Sequence, residues 1–111
     1  MRGTGPTIEL VIFSTRPEVD EAEFLTAVEQ TTAVLRRFPG YLHREVAYTS
    51  ETGQWVDIVH WADRDAAMAA AAAFKELPEV RSFVGAIDFE RASSVLHLEP
   101  RAADRPARVA S

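Results

Sequence analysis

Three side chains that can stack on rings or exchange protons alternate along one short segment of the sequence. Trp55, Asp57 and Trp61 belong to the run Trp55-Val-Asp-Ile-Val-His-Trp61, and side chains two residues apart in a strand point to the same face. Two indoles beside a carboxylate suit a small-molecule pocket, because the rings stack on flat ligands and the acid exchanges a proton. Plain packing of a core is the alternative interpretation. The segment predicts a candidate site without naming a substrate.

Three ionisable side chains bear on that site, namely the pair His43 and Glu45 and the carboxylate of Asp57. His43 and Glu45 are two residues apart on a preceding strand, so they share a face and are a candidate base and its orienting partner. The alternative is a solvated pair at the rim. Asp57 interrupts an apolar strand, and a buried carboxylate needs either a raised pKa or a cationic partner. It is therefore a candidate general base, or an ion pair with Arg44, Arg91 or a second subunit.

The elements that position these residues follow from the hydrophobic periodicity. Strands are predicted at residues 7–15, 41–48, 55–61 and 92–98. A first helix begins at Asp20, a second and alanine-rich helix begins at Asp63 or Asp65, and a short helical segment covers 78–86. The order βαββαβ predicts an α+β, ferredoxin-like domain over residues 7–98, with a four-stranded antiparallel sheet and both helices on one face. Residues 99–111 are predicted to form a flexible tail.

The pairing of the strands decides which face carries the site. We expect Leu42 and Val46 to lie with Val56 and Ile58 beneath the helices, because a one-residue slip would bury Asp57 there. The opposite face would then collect the candidate ligand-binding residues Glu9, Val11, Phe13, His43, Glu45, Trp55, Asp57, Val59 and Trp61. His43, Asp57 and Trp61 are the candidate catalytic residues of this set, and the other six would contact the substrate. A face this apolar is unfavourable in water. We therefore predict that a second copy of the chain packs against it to form a homodimer.

Composition excludes several classes of function. The chain of 111 residues has a net charge of −5 and no long basic run, which argues against nucleic-acid binding. It has no cysteine, no metal-binding spacing of histidines and no glycine-rich phosphate loop, so no metal or other cofactor is expected. No apolar run is long enough to span a membrane, and Met1–Thr7 has no signal-peptide core. These features predict a soluble, cytoplasmic protein.

Three motifs carry a resemblance to a known family. They are Phe38-Pro39-Gly40-Tyr41-Leu42, Val59-His60-Trp61-Ala62-Asp63 with Ala66-Ala67, and the segment Leu77-Pro78-Glu79-Val80-Arg81-Ser82-Phe83. Over residues 7–98 the chain resembles the dimeric α/β-barrel superfamily, and within it the antibiotic-biosynthesis-monooxygenase-like proteins. The resemblance implies a dimeric α/β barrel, in which Trp61 stands where the family's tryptophan faces the cavity.

The family resemblance also bears on activity. Members include cofactor-independent monooxygenases that oxidise polycyclic phenols or anthrones to quinones, and others degrade haem, isomerise lactones or cyclise polyketides. The quinone-forming and haem-degrading members are similar in using a cavity asparagine, and this chain contains no asparagine. Haem degradation is therefore not expected, and His43 or a carboxylate would have to hold the substrate oxygen.

These observations favour a small homodimeric, cofactor-independent monooxygenase-like enzyme that acts on a flat hydrophobic molecule of phenolic or polyketide type. His43 or Asp57 would take a phenolic proton, and the resulting anion would react with dioxygen while Trp55 and Trp61 hold the ring. A non-catalytic dimer that binds a hydrophobic ligand or serves as an accessory protein is one alternative. A polyketide cyclase or isomerase on the same scaffold is the other.

Overall fold

The sheet and helices follow the predicted order. In the computed structural model, which describes residues 5–102, the elements are β1 (Thr7–Phe13), α1 (Glu21–Leu35), β2 (Tyr41–Thr49), β3 (Gln54–Trp61), α2 (Arg64–Phe74), a 3₁₀ turn (Pro78–Val80), α3 (Arg81–Ala86) and β4 (Ser94–Leu98). The strands form one antiparallel sheet in the order β2-β3-β1-β4. This arrangement confirms the predicted α+β, ferredoxin-like fold.

Both long helices begin at the aspartates that the sequence indicates. The Asp20 side chain accepts a hydrogen bond from the backbone N–H of Glu23 at 3.1 Å, and Asp63 accepts one from Ala66 at 2.8 Å. Each carboxylate satisfies an N–H that the first turn leaves unpaired and lies at the positive end of the helix dipole. Between residues 5 and 102, no helix is long and apolar enough to cross a membrane.

The ends of the chain bear on the predicted domain limits. Residues 99–102 are exposed and belong to no helix or strand. The remainder of the predicted tail, residues 103–111, and the first four residues lie outside the described part of the chain. The prediction of a flexible tail therefore stays a prediction.

The predicted register between β2 and β3 is wrong. Tyr41 lies opposite Trp61 and His43 opposite His60, so Leu42 is an extra residue that forms a β-bulge. Beyond the bulge the side chains of β2 share a face with the other set of β3 residues than predicted, so Val46 lies opposite Asp57 rather than on the face of Val56 and Ile58. This is the one-residue slip that was not expected, because it buries the carboxylate of Asp57 beneath the helices. Arg44 removes that objection, since it accompanies Asp57 beneath the helices.

The helices cover the face of β1 and β3 opposite to the one predicted, whereas Val46 of β2 lies beneath the helices as expected and Leu42 is exposed. The residues of β3 alternate between half-buried and buried, with Trp55, Asp57, Val59 and Trp61 buried. We call the helix-covered side of the sheet the inner face, and it carries Thr7, Glu9, Val11, Phe13, Arg44, Val46, Trp55, Asp57, Val59, Trp61, Val95 and His97. The outer face carries Ile8, Leu10, Ile12, His43, Glu45, Val56, Ile58, His60, Leu96 and Leu98.

Two clusters fill the space between the inner face and the helices. In the first, Phe24 of α1 stacks on Phe83 of α3 with ring centroids 5.6 Å apart and meets Trp55 edge-on at 4.9 Å. In the second, Ala67 and Ala70 of α2 pack on the far end of β3. Gly40 permits this close approach, because a Cβ there would lie 2.6 Å from the Cβ of Ala66, and its φ of 85° also favours glycine.

Candidate functional site

A cavity of about 300 Å³ lies between the inner face, α2 and α3. Its wall is mainly apolar and includes the aromatic side chains of Phe13, Trp61, Phe74, Phe83 and Phe89. The polar side chains in the wall are those of Glu9, Arg44, Asp57 and Lys75. A concave, mainly apolar space with a few polar groups is the usual form of a small-molecule site, and this volume is near the lower end of the usual range.

One polar group of the cavity wall is a buried ion pair. Arg44 donates from Nε to Asp57 Oδ1 at 2.9 Å and from Nη2 to Oδ2 at 2.7 Å. The two side chains are only 2% and 10% exposed. Bidentate pairing of this kind combines a strong charge-assisted contact with a fixed orientation.

The other end of the guanidinium is held by helix α1. Arg44 Nη1 donates to the carbonyl oxygen of Val28 at 2.9 Å and to the hydroxyls of Thr31 at 2.7 Å and Thr32 at 3.0 Å. The guanidinium carbon also lies 5.2 Å from the centroid of the Phe83 ring. Arg44 therefore joins β2 and β3 to α1, and its charge is compensated within the core.

This network assigns a structural role to Asp57. Both of its oxygens already accept charged hydrogen bonds, so the carboxylate is an anchor for Arg44 rather than a free proton acceptor. The sequence offered a general base or an ion pair with Arg44 as alternatives, and the ion pair is confirmed. Arg44 was not predicted to belong to the site. It was considered only as a possible counterion of Asp57, and that possibility was the sequence signal for its role.

Glu9 has a different environment on the same face. Its Oε1 accepts a hydrogen bond from the indole N–H of Trp61 at 3.2 Å. Burial in the apolar cavity raises the pKa of Glu9 above its ordinary value, outweighing the indole hydrogen bond and the positive charges of His97 and Arg44, while the charge of Asp57 raises it further. A half-buried carboxyl group with a raised pKa is a candidate for proton exchange with a ligand.

The two tryptophans have different positions. Trp61 is 1% exposed and lines the cavity beside Glu9, with the ring of Tyr41 at its edge. Trp55 lies between Phe24 and Tyr48, at centroid distances of 4.9 Å and 5.0 Å, and does not border the cavity. Trp55 therefore packs the core, which was the alternative interpretation of its role.

The remaining predicted ligand contacts fall into two groups. Val11, Phe13 and Val59 line the cavity, as does Glu9. His43 and Glu45 lie on the outer face, where the ring of His43 is 5.6 Å from that of His60. The prediction that His43 and Glu45 share a face with Asp57 and Trp61 is wrong, because the bulge at Leu42 turns them outward. Among residues 5–102, no three histidine or acidic side chains are grouped to hold a metal ion.

Comparisons with known proteins agree with this fold. The model of the antibiotic biosynthesis monooxygenase family matches residues 7–86. A solved variant of SnoaB, a cofactor-independent oxygenase from Streptomyces nogalater, superposes with a TM-score of 0.70 at 21% identity, covering 88% of this chain and 95% of that one. The sequence has no significant match among curated proteins.

Two further solved structures share the fold. The monooxygenase from the gene ActVA-Orf6 of Streptomyces coelicolor, in complex with nanaomycin D, has a TM-score of 0.65 at 19% identity and covers 96% of this chain and 94% of that one. Rv0793 from Mycobacterium tuberculosis has a TM-score of 0.63 at 19% identity, with coverages of 91% and 100%. At these identities the similarity of the structures establishes the fold alone.

Proposed function

The chain belongs to the antibiotic biosynthesis monooxygenase family, and on that premise we propose that it is a cofactor-independent monooxygenase-like enzyme in which Glu9 is the general base. The observation that carries the proposal is the position of this carboxyl group. Glu9 lines an apolar cavity, its pKa is raised by burial, and Trp61 holds one of its oxygens. This role replaces the one that the sequence analysis gave to His43 or Asp57.

The cavity favours a compact, flat and hydrophobic substrate of phenolic or polyketide type. The walls offer Phe74, Phe83 and Trp61 for contact with rings, and about 300 Å³ of space. The similar ActVA-Orf6 monooxygenase has been solved with nanaomycin D as its ligand. That relative supports the class of substrate, whereas the identity of the substrate depends on side chains that differ between the two proteins.

The chemistry needs a base, an enclosed site and dioxygen. Ionised Glu9 removes a proton from a phenol or an acidic ring C–H, and the electron-rich anion reacts with dioxygen to form a carbon–oxygen bond. The resulting hydroperoxide loses water to leave a quinone carbonyl, so one oxygen atom enters the product and the other leaves as water. The bonds from the substrate to two of its hydrogens supply the electrons, Glu9 removes the protons, and the departing oxygen takes up two protons and leaves as water. The apolar wall excludes bulk water from the anion.

We further propose that the protein acts as a homodimer through its outer face. The residues first expected to form that interface are buried beneath the helices. The exposed side of the sheet nevertheless carries a continuous apolar set, composed of Ile8, Leu10, Ile12, Val56, Ile58, Leu96 and Leu98. An apolar patch of this kind on a sheet favours association. Native mass spectrometry should give twice the mass of the chain, and a monomer at micromolar concentration would exclude the dimer.

Oxygen uptake tests the proposed reaction. With 1,8-dihydroxyanthrone as the probe, we expect one dioxygen consumed per anthraquinone formed, above the uncatalysed rate and without hydrogen peroxide. Glu9→Gln should lose this activity, and Glu45→Gln on the outer face serves as the matched carboxylate control. Binding without oxygen uptake would favour the non-catalytic ligand-binding dimer. Conversion of a polyketide-type compound without oxygen uptake would favour the cyclase or isomerase.

A further inference from the structure

A second ionisable side chain lies next to Glu9. In the pairing of β1 with β4, Glu9 is directly opposite His97, so both side chains are on the inner face. β4 is the edge strand of the sheet, and His97 is the one residue of Ser94–Leu98 that is not exposed. His97 therefore lies between the cavity carboxylate and the margin of the sheet.

Both groups have unused hydrogen-bonding capacity. The Nε2 atom of His97 is buried and makes no hydrogen bond to any residue in the range 5–102. Within the same range, Glu9 uses only Oε1, in its bond to Trp61. A buried imidazole nitrogen without a partner is costly and uncommon in native proteins, and a catalytic role is one of the reasons for which such an atom is retained.

The other groups near Glu9 cannot exchange protons with it. Trp61 is a neutral donor, and the charges of Arg44 and Asp57 are fixed by their mutual hydrogen bonds. Lys75 is exposed at the end of α2 on the other wall of the cavity. Imidazole, in contrast, gains and loses a proton between about pH 5 and pH 8. A positive charge on His97 also stabilises ionised Glu9, because it lowers the pKa of that carboxyl group.

We propose that His97 is a positioning residue that is coupled to Glu9 and receives, through a bridging water, the proton that Glu9 takes from the substrate. In the step, protonated Glu9 transfers H⁺ through this water to Nε2 of neutral His97, and the resulting imidazolium stabilises Glu9 as the carboxylate. The imidazolium then releases its proton to solvent at the edge strand, and Glu9 is ready for another substrate. The proton relay rests on the proposed function of Glu9, whereas the coupling of the two groups does not.

Titration of Glu9 tests the coupling directly and requires no substrate. The carboxyl carbons of the full-length protein would be labelled with ¹³C-glutamate, and Glu9→Gln would identify the signal of Glu9. In His97→Gln, the pKa of Glu9 should rise relative to the parent, since the stabilising positive charge is gone. His43→Gln on the outer face is the matched loss of a histidine and should leave the titration of Glu9 unchanged. An unchanged or lowered pKa of Glu9 in His97→Gln would overturn the proposal.

A second measurement uses the parent protein alone, so it does not depend on the folding of a variant. In a coupled pair the Glu9 signal shows two inflections with pH, one from its own proton and one from the proton of His97. A single inflection would overturn the proposal.

Turnover separates the relay from the proposed function. With 1,8-dihydroxyanthrone and dioxygen, the acidic limb of kcat/KM in His97→Gln should move to higher pH, and kcat should increase with buffer concentration as the buffer replaces the relay. A normal acidic limb and no buffer dependence would exclude the relay. If the parent itself shows no oxygen uptake, the proposed function fails, while the two titrations still decide whether Glu9 and His97 are coupled.

Discussion

The two carboxyl groups on the inner face have opposite environments within one cavity wall. Asp57 accepts two hydrogen bonds from a guanidinium that is itself held by α1. Glu9 accepts one hydrogen bond from a neutral indole, and burial raises its pKa. The same chemical group is thus a fixed structural charge at one end of the site and, in our proposal, a proton acceptor at the other. Environment rather than residue type assigns the role.

The difference matters because the two carboxylates affect the free energy of unfolding in opposite directions. Paired Asp57 is needed for the fold, whereas ionised Glu9 is costly to it. A buried ion pair is tolerated when each charge satisfies the other, and removal of one partner leaves an uncompensated charge. A half-buried carboxyl group that is not hydrogen-bonded to a cation is costly to ionise. Groups perturbed in this way are common among catalytic acids and bases. We therefore expect substitutions at the Asp57 end to affect mainly stability, and substitutions at the Glu9 end to affect the proposed function.

Removal of Arg44 should have the largest effect on stability. We expect Arg44→Ala to lower the free energy of unfolding by about 3–5 kcal/mol, because Asp57 would remain buried without its partner. Chemical denaturation at pH 7 measures the change. Arg37→Ala is the matched control, since Arg37 forms an exposed ion pair with Glu79 at 3.2 Å, and it should change stability little. Equal effects of the two substitutions would contradict the structural role of the buried pair.

Replacement of Trp61 should change the proton affinity of Glu9. Trp61→Phe keeps an aromatic ring and removes the indole N–H, so the pKa of Glu9 should rise further above its ordinary value. The acidic limb of kcat/KM should move to higher pH with it. Trp55→Phe changes a buried indole on the same face without touching Glu9, and it should leave this limb in place. A shift of the same size in both variants would show that packing, rather than the hydrogen bond, is responsible.

Neutralisation of Glu9 should make a smaller, pH-dependent change in stability. Because the pKa of Glu9 is raised on folding, its contribution to stability is present below about pH 4.5 and is lost as the pH rises through the folded value. Glu9→Gln should therefore be slightly more stable than the parent at pH 7 and no different at low pH. Urea denaturation at both values, with Glu45→Gln as the exposed control, measures this. Greater stability of the parent at pH 7 would contradict the raised pKa.

Much of the fold could be predicted because its signals are local. The apolar alternation of the strands, the caps at Asp20 and Asp63 and the break at Pro39-Gly40 all act within a few residues. The order of elements then leaves few topologies, and the ferredoxin-like one is confirmed.

The site could be predicted only in part because its geometry depends on a single extra residue. Nothing in the residue type of Leu42 indicates a bulge. Its extra position nevertheless decides which face His43, Arg44 and Glu45 occupy. The cost of burying Asp57 was correctly recognised, and what sequence alone could not settle was which of the candidate arginines compensates it. Because β3 and β1 contain no bulge, Trp61, Val59 and Glu9 remained together on one face as predicted.

The most direct test of the account compares the two carboxyl groups in one assay. kcat/KM for oxidation of 1,8-dihydroxyanthrone would be measured for Glu9→Gln and Asp57→Asn, after circular dichroism has shown both variants to be folded. Loss of a general base predicts a fall of about 10²–10⁴-fold for Glu9→Gln, whereas Asp57→Asn keeps the cavity base and should lose far less. Retained turnover in Glu9→Gln together with lost turnover in Asp57→Asn would contradict the assignment of roles.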